Sequence, residues 1–107
     1  MASVTHYRDI APYATRDGSQ IRELMHPVRH ACRSQSLAEA TLMPGEQTRL
    51  HRHTDTEELY HISAGAGRMR LGDVEVEVAT GDTICIARGT PHCIANSGDT
   101  PLRILCC

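Results

Sequence analysis

The chain has 107 residues, 40% of them apolar, and a formal charge of −2. That length suits one domain with its own core, because two domains would each be too small without staples. A balance this close to neutral offers no electrostatic footprint for nucleic acid or an anionic membrane, and no apolar run approaches a membrane span.

Missing residues narrow the chemistry. There is no lysine, which excludes a lysine Schiff base and a P-loop lysine. There is no Phe or Trp, so only Tyr7, Tyr13 and Tyr60 can stack on a flat ligand. The core must come from Val, Ile, Leu, Ala and Met. The cysteines, Cys32, Cys85, Cys93, Cys106 and Cys107, are odd in number and form no C-x-x-C pair. The stretch from Met1 to Ile10 is polar and mixed, without the apolar centre of a secretory signal. These features predict a cytoplasmic protein with free thiols. The close at Leu105, Cys106 and Cys107 reads as a strand cut short of a tail.

In chain order, residues 1–19 are polar, with a turn signal at Asp17-Gly18, and are expected to lie across the barrel or a partner subunit. Residues 20–25 read as a strand ended by Pro27. Residues 28–36 form a polar loop. Residues 37–43 form a strand stopped by Pro44-Gly45. Short strands follow at 59–64, 68–71, 83–87, 92–95 and 102–106, punctuated by Gly65, Gly67, Gly72, Gly81 and the Ser97-Gly98-Asp99 turn. In between, Val74, Val76 and Val78 alternate with Glu75, Glu77 and Ala79, which predicts one buried face. No stretch of helical period competes. Many short strands at regular spacing indicate an all-β sandwich or barrel. Residues 1–36 are read as N-terminal strands and a loop serving the barrel or a dimer interface, and 37–107 as the barrel proper, one domain in all.

The informative chemistry lies in two stretches. His51 and His53 are two apart, so on a strand both imidazoles face one side. Glu58, Tyr60 and Ile62 share a face on the next strand, where a carboxylate among apolar residues is costly unless a cation pairs with it. His92 opens a later strand and shares a face with Ile94. Three imidazoles and one carboxylate form an N₃O set that suits Mn, Fe, Co, Ni, Cu or Zn rather than Ca or Mg. A His-x-His pair alone is commonly surface or core histidine, so the metal reading rests on the two stretches agreeing.

At these residues the chain resembles the cupin family. Gly45, His51, His53, Glu58 and Gly65 match the spacing of the first cupin motif; Gly81, Gly89, His92 and Asn96 match the second, with Ala87 where the family usually has proline. The resemblance implies a jelly-roll barrel, or double-stranded β-helix, usually paired into a homodimer. It implies one divalent transition metal held by His51, His53, Glu58 and His92, with Fe or Mn favoured here. Glu57 is the alternative carboxylate; Glu58 is preferred because it keeps the motif's spacing to Gly65 and shares a face with Tyr60.

Other side chains carry split readings. Tyr60 is either a hydrogen-bond donor or general acid toward a bound substrate, or a core tyrosine. Arg49 is either a clamp for a substrate carboxylate or a surface arginine. Met69 and Cys93 read more simply as packing residues, and Arg88 as solvated. The preferred function is a metal-dependent enzyme acting on a small polar organic molecule, with an oxygenase as the leading subclass. A non-redox sugar isomerase or lyase is the second reading, and a non-catalytic metal-containing binding protein the third. Neither fold nor family selects among them.

Overall fold

A computed structural model describes residues 3–107. It contains one 3₁₀ turn, Tyr7–Asp9, and nine strands: β1 (Tyr13–Ala14), β2 (Gln20–Met25), β3 (Leu37–Leu42), β4 (Glu58–Ala64), β5 (Ala66–Leu71), β6 (Val74–Ala79), β7 (Thr83–Ile86), β8 (His92–Asn96) and β9 (Leu102–Cys106). They form two antiparallel sheets, one ordered β1-β2-β3-β9-β4-β7 and the other β6-β5-β8. This is the all-β, jelly-roll architecture that the strand spacing and the family resemblance predict. No helix among the described residues is long and apolar enough to cross a membrane.

The alternation of each central strand places one side chain in two between the sheets. Leu42, Ile62, Met69, Ile94, Leu102 and Ile104 are each at most 1% exposed and meet in one aliphatic core. Burying each such side chain contributes roughly 1.5–3 kcal/mol. With Tyr60 the one aromatic side chain in this cluster, the core depends on many interlocked aliphatic side chains.

One expectation fails in β6. Val78 is buried, but Val74 and Val76 are 58% and 43% exposed. β6 is an edge strand paired only with β5, and the opposite sheet covers just its Val78 end. Period-two alternation gives the facing of a side chain; whether anything lies above that face depends on the other sheet.

The N-terminal residues pair with the larger sheet. β1 joins the edge of β2 in register Tyr13↔Ile21. The 3₁₀ turn is held on the outer face, where the Tyr7 hydroxyl donates to Glu39 Oε1 at 2.5 Å. Arg103 approaches the same oxygen at 3.3 Å, and the Arg22 guanidinium lies 4.4 Å from the Tyr7 ring centroid.

Two local devices fix how the sheets meet. Gly65, between β4 and β5, has φ +89°, and a Cβ there would lie 2.7 Å from the Pro101 carbonyl oxygen, so glycine is required for this close approach. Asn96, 5% exposed, straps three backbone segments together. Its Nδ2 donates to the carbonyls of Leu42 (2.9 Å) and Thr100 (2.8 Å), and its Oδ1 accepts from the Gly98 N–H (2.9 Å). Replacing it leaves buried backbone groups unpaired. Asn96→Ala is expected to lower unfolding stability by about 2–4 kcal/mol in urea titrations. A loss below about 0.5 kcal/mol would show that the amide is not a strap.

Candidate metal centre

The stretch between β3 and β4 runs beside β8, which brings the two histidine-bearing segments together. Gln47 bridges to Ala95 and His51 to His92. The latter exchange both backbone bonds, His51 N–H to His92 O at 3.0 Å and His92 N–H to His51 O at 2.8 Å. Between these bridges Thr48 interrupts the ladder: its N–H donates to Ile94 O, while its hydroxyl accepts from the Ile94 N–H at 3.0 Å. The Arg49 N–H turns aside to Asp17 O at 2.8 Å. His51 and His53 therefore sit on a strand-like run of isolated bridges rather than on a regular strand. Glu58 opens β4, with Tyr60 and Ile62 on the same inward face.

Three imidazoles converge, and Glu58 lies against two of them. The nitrogens that His51, His53 and His92 offer all lie within 4.8 Å of one another, so these three imidazoles can hold a metal ion. The His51 and His92 ring centroids are 4.3 Å apart. Glu58 Oε1 lies 3.5 Å from His53 Nε2 and 3.6 Å from His92 Nε2. Those separations are near the roughly 3.0–3.4 Å expected of adjacent donors bonded at about 2.1 Å to one ion. His92 Nε2 and Glu58 Oε1 are both buried and have no hydrogen-bond partner. On the far sides of the rings, His51 Nδ1 lies 2.8 Å from Arg49 O and His92 Nδ1 lies 2.9 Å from Thr90 O. A carbonyl only accepts, so both Nδ1 atoms carry the proton and both Nε2 lone pairs are free. The donor set and its two orphaned atoms fit a divalent transition metal.

The electrostatics agree. Burial disfavours a charged His92, but the Glu58 carboxylate and the Thr90 carbonyl outweigh it and raise the affinity of the ring for a proton. The position attracts a cation. Burial pushes the Tyr60 hydroxyl far above its ordinary range, and Glu58 adds to the shift, so Tyr60 stays protonated. Burial and Glu58 likewise push the Cys106 thiol up to about 12.

His51, His53, Glu58 and Tyr60 line a cavity of about 290 Å³ together with Tyr13, Thr15, Asp17, Ser19, Glu23, His26 and Cys106, among others; His92 lies behind its wall. Tyr60 lines it; Arg49 does not. The Arg49 side chain is exposed and borders a separate depression with Arg68 and Cys93. Glu57 and Arg88 are exposed, and Met69 is wholly within the core. All five cysteines are free.

Two cavity residues escape sequence reasoning. Cys106 shares parity with the buried Leu102 and Ile104, a signal that could have placed it inward. Asp17 gives only a turn signal. Its turn depends on Gly18, with φ +98°, where a Cβ would meet Gln47 O at 2.9 Å. Burial alone would raise the Asp17 pKa, but hydrogen bonds from the Thr15 hydroxyl and from the Ser19 N–H and hydroxyl hold it below the usual carboxylate range.

Comparison with known proteins agrees with the fold. Residues 38–107 match the family model described as Cupin domain. An uncharacterized protein of Methanocaldococcus jannaschii is 52% identical over 96% of this chain and 82% of its own length. The oxalate-binding protein of Thermotoga maritima is 31% identical over 78% of this chain and 65% of its own length. Among solved structures, the polyketide cyclase RemF of Streptomyces resistomycificus superposes with a TM-score of 0.85 at 26% identity, covering 99% of this chain and 78% of that one.

Metal retention by tag-free protein, followed by elemental analysis through dialysis, tests the centre. His92→Ala and Glu58→Gln are each expected to weaken retention by about 100-fold or more, while Glu57→Gln leaves it unchanged. Binding needs neutral imidazoles, and the proton affinity of His92 is raised. Metal should therefore be retained above the imidazole range and lost on acidification, starting at a higher pH than an unperturbed histidine would give.

Proposed function

The chain belongs to the cupin family, and we propose that it is a metal-dependent enzyme acting on a small polar organic molecule in the barrel cavity. An oxygen-using reaction is the leading class. The observation that carries the reading is the pair of buried, unpartnered atoms, His92 Nε2 and Glu58 Oε1, beside two further imidazoles at the wall of a cavity.

His51, His53, Glu58 and His92 would hold one divalent transition metal, with iron or manganese preferred. When bound, such an ion supplies Lewis acidity and, as iron or manganese, one-electron chemistry with dioxygen. The protein does the rest. The carbonyls of Arg49 and Thr90 fix two imidazoles in one tautomer. The Ile94 and Ile104 side chains form apolar wall beside the ligand. Tyr60, held protonated, donates a hydrogen bond to a ligand oxygen. The cavity volume suits a molecule of few heavy atoms.

A non-redox reading has one specific support: the relatives include a protein named for binding oxalate and one named as a cyclase. In that case the Tyr60 hydroxyl would hold the polarised oxygen by its hydrogen bond during isomerisation or elimination. The proposal includes a homodimer, for which exposed Val74 and Val76 offer apolar surface, and a reducing compartment, which suits the free thiols.

The test is oxygen uptake by iron- or manganese-loaded protein across small acids, thiols and diketones. Turnover should vanish in His92→Ala and fall by about 10²-fold or more in Tyr60→Phe at unchanged metal content. Equal turnover without oxygen, sustained by zinc or nickel, would select the non-redox reading. Ligand binding without any turnover at full metal occupancy would refute both enzymatic readings.

A further inference from the structure

One wall of the cavity comes from the N-terminal hairpin, the part of the chain outside the cupin motifs. Tyr13, Thr15, Asp17 and Ser19 on that hairpin, together with Glu23 of β2, face the imidazoles across the open space. Among the described residues, no arginine lines this cavity, and the chain has no lysine. Two carboxylates beyond the presumed ligand Glu58 are thus present, and apart from the presumed ligands His26 is the one lining side chain that can carry positive charge.

Asp17 is built in rather than incidental. Its Oδ1 receives the Thr15 hydroxyl, the Ser19 N–H at 3.1 Å and the Ser19 hydroxyl at 2.8 Å. Ser19 is itself 2% exposed. The Arg49 N–H clamps the Asp17 carbonyl, which ties the turn to the stretch carrying His51. Asp17 lines the same cavity as His51, His53, Glu58 and Tyr60. Among the described residues, Glu23 Oε1 accepts only from the Tyr13 hydroxyl, at 2.8 Å.

We infer that Asp17, seconded by Glu23, determines specificity by charge: the cavity selects uncharged or cationic ligands that bring O–H or N–H donors, and rejects dicarboxylates. Counting the imidazoles, His26 included, as neutral, a divalent ion with Glu58, Asp17 and Glu23 leaves the cavity one net negative charge. A dianion entering it meets repulsion in a partly desolvated space, where opposing charges act strongly. A dicarboxylate site would instead present arginine forks or other cationic donors. A hydroxyl or ammonium placed toward Asp17 finds an acceptor already ordered by Thr15 and Ser19. The inference rests on the metal reading above and sets this chain apart from a relative named for oxalate.

The experiment uses cobalt(II)-loaded full-length protein, whose visible ligand-field absorption reports both metal occupancy and ligand entry. Oxalate and glycolamide, a dianion and a neutral molecule that can each present two oxygens, are titrated into the wild type, Asp17→Asn and Glu23→Gln. Asp17→Asn should tighten oxalate by about tenfold or more and change glycolamide by less than about threefold. Glu23→Gln, whose site is a half-exposed strand position, should shift oxalate in the same direction and serves if Asp17→Asn fails to fold. Oxalate affinity equal in all three proteins would overturn the inference. Equal tightening of both ligands would also overturn it, since that signals easier access rather than charge. If the wild type acquires no cobalt absorption that His92→Ala abolishes, the metal reading fails first and this inference falls with it.

Discussion

Two buried atoms without partners organise the centre. A carboxylate oxygen and an imidazole nitrogen, withdrawn from water and left unpaired, each cost on the order of 1–3 kcal/mol, and more for the charged group. His92 Nε2 and Glu58 Oε1 are in that state, 3.6 Å apart and too distant for a good bond to each other. The surroundings do nothing to relieve them: the carbonyl beside His92 consumes its other nitrogen and turns the lone pair inward. Such an arrangement is unfavourable with nothing between the groups and strongly favourable with a cation there. Cation binding and stability of the barrel mouth are therefore one quantity.

The backbone makes this convergence rigid. His51 and His92 are opposed in a narrow bridge, so their separation follows from strand pairing and not from side-chain freedom. Glu58 enters from β4, whose register is fixed on one side by β7 and on the other by β9. The Asn96 strap and the close approach at Gly65 hold the far end of the same strands. Glycines and an asparagine remote from the metal thus set the geometry at it, and they recur in the same motifs as the ligands for that mechanical reason.

What could be read in advance follows the range of each interaction. β2 and β9 were legible to the residue, because alternation and turn residues are local. Glu58, Tyr60 and Ile62 were correctly placed on one inward face, since strand parity is local too. The exposure of Val74 and Val76 was not legible: it depends on how far the opposite sheet extends, which no window of β6 contains. The segment around His51 was expected to be a regular strand, yet the Thr48 hydroxyl takes a ladder position and Arg49 pairs with Asp17, both side effects of distant contacts. Arg49 shares parity with His51 in sequence, but that interruption leaves its side chain outside the cavity. The Glu39 cluster and the inward position of Asp17 were invisible for the same reason, being contacts between segments far apart in the chain.

This division explains why the family motifs identify a metal centre and stop short of a substrate. Ligation demands a few donors at nearly fixed distances, and strand parity with strict spacing delivers them, so the requirement is written into the sequence locally. If Asp17 selects by charge, that selection is made on the opposite wall, by a hairpin that precedes the motifs and carries no spacing signal. A different hairpin over the same imidazoles would present another field to the ligand without moving a metal-binding atom. Asp17 shows how small the change can be: one carboxylate, fixed by a threonine and a serine of its own turn, would take the charge a substrate meets from balanced to net negative. Chemistry at the metal and choice of substrate can therefore vary independently on this scaffold, which is a physical reason for one barrel to serve many reactions.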